Sequence, residues 1–180
     1  NCLLIDDSFS SDYQSLKIAL DFLDQQKLHQ KKTIILSDIF QSGLNLNELY
    51  SNVIKLLQQN NIAQIITIGE TIGKYFQDVQ NVISFANTQA FLQQFNTDSF
   101  KNETILIKGA RSFNFDEIVV LLEEKNTETL SLLYLSNLIL GRDSIHYTNV
   151  KLRDMNKYKL ILILAIVSLN TYPSCITTPQ

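Results

Sequence analysis

Cys2-Leu3-Leu4-Ile5-Asp6-Asp7-Ser8 decides the fold: four apolar residues in a row, then at once two carboxylates and a hydroxyl. The same grammar recurs along the chain. Thr33–Leu36 runs into Ser37-Asp38, Gln64–Ile68 into Gly69-Glu70, Val82–Phe85 stops short of Asn87, and Thr104–Ile107 runs into Lys108-Gly109. A short strand that is apolar on both faces suits a parallel sheet covered on both sides; a half-solvated antiparallel strand would alternate. Segments of helical period lie between these runs. Ser11 with Gln14 fits a capping box ahead of Leu16, Ala19, Leu20 and Leu23. Asn45 with Glu48 starts a second helix, with Leu49, Tyr50, Val53 and Leu57 on one face, and Asn114 with Glu117 predicts a third ahead of Ile118, Leu121 and Leu122. Shorter helices are expected over Thr71–Phe76 and Thr88–Phe95. The alternation predicts an α/β fold, a three-layer, doubly wound and mostly parallel sheet.

In such sheets a ligand sits beyond the carboxyl ends of the strands. Those ends carry Asp6, Asp7 and Ser8, then Ser37 and Asp38, Gly69 and Glu70, Asn87, and finally Lys108, Gly109 and Arg111. Acids and bases therefore converge on one edge of the sheet.

Composition narrows the function. The 180 residues are 45% apolar and 18% charged, enough for a packed core, and the net charge of −3 provides no basic field for nucleic acid. Cys2 and Cys175 are the only cysteines and His29 and His146 the only histidines, which excludes a disulfide scaffold and a four-cysteine zinc site. The longest apolar run, Leu160 to Leu169, is about half of the ~20 residues a membrane helix needs, so no membrane insertion is expected. The opening lacks the basic segment of a signal peptide. The chain reads as a cytoplasmic fragment that begins inside a strand. Gly69-Glu70-Thr71-Ile72-Gly73-Lys74-Tyr75 is one residue short of a phosphate-binding P-loop and has Tyr75 where a magnesium-binding Ser or Thr belongs. Neither G-x-S-x-G nor G-x-G-x-x-G follows a strand.

Read together, three loops resemble the C-terminal domain of the Mur ligase family. Leu4-Ile5-Asp6-Asp7-Ser8-Phe9-Ser10-Ser11-Asp12, followed by Ser15-Leu16-Lys17-Ile18-Ala19-Leu20, is similar to the opening of that domain. Thr33–Ile39 resembles its second strand, and Leu106-Ile107-Lys108-Gly109-Ala110-Arg111-Ser112 its Val-Lys-Gly-Ser-Arg element. Phe9 stands where Tyr is usual, Ser37 where Gly is, and Ala110 where Ser is. The branch resembled is the one that adds D-alanyl-D-alanine to UDP-N-acetylmuramoyl-tripeptide, in its form fused ahead of an alanine racemase.

The resemblance implies a domain over residues 1–125 that closes over ATP and helps to bind the dipeptide, and that is inactive alone. Asp7, with Asp6 as the fallback, would accept hydrogen bonds from the ribose hydroxyls, and Phe9 would pack near the nucleotide. Lys108 and Arg111 would offer positive charge to the dipeptide carboxylate or to phosphate, with Asp38 as a further substrate contact. The Mg²⁺ ligands would belong to a central domain outside this chain. Residues 126–180 resemble a truncated, degraded start of an alanine racemase; no pyridoxal phosphate is expected there, since Leu162–Ser168 contains no Lys. Asp6-Asp7 with Lys108 also resemble a receiver domain of bacterial signalling, but the third strand ends without the phosphoacceptor Asp. A non-catalytic interaction domain is the remaining alternative.

Overall fold

Parallel pairing organises the chain. In the computed structural model, which describes residues 2–40, 43–124 and, as backbone, 127–131, the strands are β1 (Cys2–Asp7), β2 (Lys31–Ser37), β3 (Gln64–Ile68), β4 (Val82–Phe85), β5 (Glu103–Lys108) and β6 (Thr127–Ser131). They form one sheet in the order β4-β3-β2-β5-β1-β6, every pair parallel. The helices are α1 (Tyr13–Gln25), α2 (Leu46–Gln59), α3 (Glu70–Tyr75), α4 (Thr88–Gln94) and α5 (Asp116–Glu123). All of these elements lie in one unit, Asn1–Arg142. The expected three-layer α/β sandwich is what the chain forms. The order differs from the 2-1-3-4-5 order of a receiver domain.

The strand order assigns the helices to faces. From β1 to β4 the chain travels one way across the sheet; from β4 to β5 and β5 to β6 it travels back. Right-handed crossovers then put α1, α2 and α3 on one face and α4 and α5 on the other. The core divides accordingly. Leu16, Leu20 and Leu23 of α1, Leu49, Tyr50 and Val53 of α2 and Ile72 of α3 pack on Ile5, Ile34 and Leu106. Phe91 of α4 and Ile118 and Leu122 of α5 pack on Leu4, Ile35, Ile105 and Ile107. Each such Leu or Ile stabilises the fold by about 1.5–3 kcal/mol when fully buried.

Two helix starts differ from expectation. Helix α1 is capped by Asp12, not Ser11: Asp12 Oδ1 accepts the Ser15 N–H at 2.9 Å and Ser15 Oγ accepts the Asp12 N–H at 3.4 Å. The Ser11 hydroxyl instead donates to the Asp38 carbonyl at 2.8 Å. Helix α5 has no Asn114–Glu117 box. Asn114 is left-handed at φ 50°, closing a 3-10 turn at Arg111–Phe113, and Glu117 accepts a hydrogen bond from Gln89 at 2.8 Å. The Asn45 cap of α2 is as expected, with Asn45 Oδ1 accepting the Glu48 N–H at 2.9 Å. Strand β6 belongs to the segment that resembles a truncated racemase start, outside the domain expected over residues 1–125, yet it pairs with β1, Cys2 opposite Thr127 and Asp6 opposite Ser131. The racemase-like stretch from Leu162 to Ser168 lies outside the described residues.

Candidate functional site

Strand β5 sits between β2 and β1, and its onward connection leaves over the face opposite to theirs. In doubly wound sheets such a reversal marks the place where ligands bind, here the carboxyl end of β5. Lys108 is the last residue of β5.

Register sets the chemistry there. Asp7 and Lys108 are direct partners in the β1–β5 ladder. Side chains alternate along a strand, and Ile5 and Leu106, two residues back, both face α1, so Asp7 and Lys108 also project to that face. A slip of one residue would move either to the other face. The loop from β1 to α1 then folds over the pair. Lys108 is 0% exposed. Its ammonium meets Asp7 Oδ2 at 2.9 Å and donates to the Ser10 carbonyl at 2.5 Å and to Ser10 Oγ at 2.7 Å, which engages all three protons. The Asp7 side chain keeps 17% of its surface exposed. Among the described residues its second oxygen, Oδ1, takes no hydrogen bond. Burial pushes the Asp7 carboxyl above its ordinary value; Lys108 pulls it back, and Asp6 and Asp12 add to the push. Asp6 turns to its own loop, its Oδ1 accepting the Ser8 N–H at 3.1 Å.

The neighbouring loops are tied to this centre through Ser37, which sequence reasoning passed over as a site residue. Buried Ser37 Oγ accepts the Ala110 N–H at 2.9 Å, donates to the Asp38 carbonyl at 2.9 Å and lies 3.3 Å from Ser11 Oγ. The loops after β1, β2 and β5 thus share one hydroxyl. The only advance signal was its position, a small polar residue ending an apolar strand.

Asp38 faces elsewhere. Its Oδ1 accepts the Ile72 N–H at 2.6 Å, so its carboxylate sits on the first turn of α3. This explains Gly69, whose φ is +142°: a Cβ there would lie 2.5 Å from Asp38 Oδ1. The stretch that resembles a P-loop therefore already holds an anion supplied by the chain itself.

Phe9 and Arg111 come together outside the buried pair, with the guanidinium carbon 5.4 Å from the ring centroid. Phe9 is 41% exposed, and exposed Phe40 leans on Phe113 at 6.3 Å. The edge thus combines a carboxylate oxygen without a partner, an exposed arginine held on an aromatic ring, and apolar surface. It can accept a hydroxyl, pair with an anion and cover a flat group. Among the described residues no three or more His, Cys, Asp or Glu side chains are placed to hold a metal ion, and no helix is long and apolar enough to cross a membrane.

No family model matches the chain. It is 31% identical over 124 residues to the UDP-N-acetylmuramoyl-tripeptide--D-alanyl-D-alanine ligase of Rickettsia prowazekii, a match covering 66% of this chain and 27% of that protein. The chain therefore spans about a quarter of the length of that curated relative. Among solved structures, one crystal structure of MurF from Acinetobacter baumannii superposes with a TM-score of 0.56 at 19% identity, covering 68% of this chain and 28% of that one. A UDP-N-acetylmuramoylalanyl-D-glutamyl-2,6-diaminopimelate--D-alanyl-D-alanyl ligase from the same organism gives 0.54 at 21% identity, covering 68% and 27%. Over the matched residues the chain is a homologue of the Rickettsia ligase, and its fold is one that these solved ligases contain.

Proposed function

We propose that this chain is the C-terminal domain of an ATP-dependent ligase that adds D-alanyl-D-alanine to UDP-N-acetylmuramoyl-tripeptide in peptidoglycan synthesis, working in the cytoplasm. The observation that carries this reading is Asp7 Oδ1, a carboxylate oxygen without a partner among the described residues, at the strand-end edge where a doubly wound sheet takes its ligand. The homology to the Rickettsia ligase supports it.

In this reading Asp7 accepts a hydrogen bond from the ribose of ATP, with Asp6 behind it as the fallback, and Phe9 covers the nucleotide. Arg111, held on Phe9, offers its cation to the dipeptide carboxylate or to phosphate. Lys108 contributes positive charge through Asp7, because its protons already have partners. Asp38 serves the substrate side indirectly, by fixing α3 at that edge. The P-loop and the Mg²⁺ ligands belong to the rest of the ligase. What this chain supplies is positioning and exclusion of water as it closes on the nucleotide. Alone it is inactive. The racemase-like domain expected from residue 126 is proposed to begin after β6, because that strand pairs with β1 in the ligase-like sheet.

The test is a chimera in which this chain replaces the matched quarter of the Rickettsia ligase. Phosphate release that requires ATP, the tripeptide nucleotide and D-alanyl-D-alanine together is the expected result. In the same chimera Asp7→Ala should raise KM for ATP roughly ten- to a hundred-fold, the loss of a hydrogen bond to a charged acceptor. A folded chimera that binds no ATP, or an Asp7→Ala variant with unchanged KM and turnover, ends the reading. Stable labelling of the chain by acetyl phosphate with Mg²⁺ would point to a signalling module instead.

A further inference from the structure

The unequal treatment of the two Asp7 oxygens has a consequence for ligand choice. Oδ2 is held by the Lys108 ammonium at 2.9 Å, while Oδ1 takes no hydrogen bond among the described residues. A carboxylate facing a pair of adjacent hydroxyls with both oxygens open would accept from each. Here one oxygen already has a strong, charge-assisted donor. Asp7 cannot simply turn to present both, because rotation would pull Oδ2 off the ammonium. Lys108 cannot follow, because it is fully buried and its other two protons are on the Ser10 carbonyl and hydroxyl. The Ser10 contacts also fix the loop that carries Phe9.

We propose that Lys108 is a positioning residue: by holding Asp7 Oδ2 and both oxygens of Ser10, it presents Asp7 Oδ1 as a single-oxygen acceptor that reads one hydroxyl of a vicinal pair on a ribose-bearing ligand. The inference rests on the nucleotide reading given above and deepens it. It separates three residue roles. Asp7 touches the ligand, Lys108 aims Asp7, and Ser10 anchors Lys108. Lys108 also keeps Asp7 an acceptor, since burial on its own drives the carboxyl toward the neutral acid, a donor.

Two measurements test it. In the chimeric ligase, ATP is compared with 2′-deoxy-ATP and 3′-deoxy-ATP. One analogue should raise KM roughly ten-fold or more and the other no more than about three-fold, because one hydroxyl alone meets the charged acceptor. Lys108→Met should bring the two analogues within about three-fold of each other by freeing Asp7 to turn, with the change in KM rather than in turnover. Ser10→Ala keeps the carbonyl contact and should narrow the gap partially; it carries the comparison if Lys108→Met does not fold. Equal losses for the two analogues in the unmodified chimera, or a gap that survives both substitutions, overturns the proposal.

The second measurement needs no ligase activity. In the 180-residue chain with carboxyl groups labelled in ¹³C, the Asp7 titration should move up in Lys108→Met and, by less, in Ser10→Ala. A titration that neither substitution moves also overturns the proposal. Failure of the nucleotide reading is distinct: Asp7→Ala would leave KM for ATP unchanged while the Asp7 titration still answers to Lys108.

Discussion

Strand β5 carries a buried charge at each end, and the two ends are built differently. At its start Glu103 is fully buried, with Oε1 accepting from Lys31 Nζ at 2.8 Å and from the Lys101 N–H at 2.9 Å, and Oε2 accepting the Thr33 hydroxyl. At its end Lys108 is equally buried, and its ion-pair partner Asp7 retains a carboxylate oxygen with no hydrogen bond among the described residues. Both oxygens of Glu103 have donors within the fold, as expected of a structural latch between β2 and β5. The Asp7–Lys108 network leaves an acceptor over, at the edge where loops converge. Asp7 is half-buried, so the oxygen left over is open to the outside and free to accept a hydrogen bond from a ligand.

The largest effect should come from opening the closed end. Lys31→Met leaves the Glu103 carboxylate buried without its cation and should destabilise the chain by about 3 kcal/mol, read from denaturant unfolding. The neighbouring Lys32 pairs with Asp24, which is 61% exposed, and Lys32→Met should cost far less than Lys31→Met. Equal losses for the two lysines would break the contrast between a latch and a surface pair.

The sequence showed one of these ends more clearly than the other, for a physical reason. The carboxyl ends of strands are legible because an apolar run stops abruptly at Asp6-Asp7 or at Lys108, and a parallel sheet brings such ends together whatever its order. The spans of β3 and β4 were read correctly from their apolar runs. Glu103 and Lys31 also begin adjacent strands, but that adjacency exists only once β5 is known to insert between β2 and β1. Before that, Glu103 is one more polar residue in a loop. Ser10, Ser11 and Ser37 were missed as partners for a related cause: a hydroxyl in a loop has no periodicity, and its partner is chosen by tertiary contact. The same contact displaced the α1 cap, since Ser11 was taken by Asp38 and the next acceptor, Asp12, capped the helix.

That displaced cap gives the next effect in size. Asp12→Ala removes the acceptor for the Ser15 N–H and should cost about 1 kcal/mol at neutral pH. Ser11→Ala should leave the α1 cap intact, because the Ser11 hydroxyl serves the β2 loop instead. Amide exchange in the first turn of α1 distinguishes the two: protection should fall in Asp12→Ala and hold in Ser11→Ala. A fall in both would return the cap to Ser11.

The smallest effect is also the one that most directly compares a satisfied acid with an unsatisfied one. Asp7 and Asp12 flank the same loop, and their acidities move in opposite directions from an ordinary value of 3.8. Burial raises Asp7. For Asp12 burial pushes upward, but hydrogen bonds from the Ser15 backbone and side chain, the Lys108 charge and the Gln14 N–H hold it below. The signs follow from which form the fold prefers. A raised acid contributes stability that is present below its ordinary value and lost as pH rises through its folded one; a depressed acid contributes stability present above its ordinary value and lost as pH falls through its folded one. Asp7→Asn and Asp12→Asn each remove one of these contributions and keep a similar shape. The stability difference between the unmodified chain and Asp7→Asn should therefore shrink as pH rises from 3 toward 6. The difference for Asp12→Asn should grow over the same range. Parallel trends for the two would mean that Asp7 is satisfied in the fold as Asp12 is, and that its second oxygen is not waiting for a ligand.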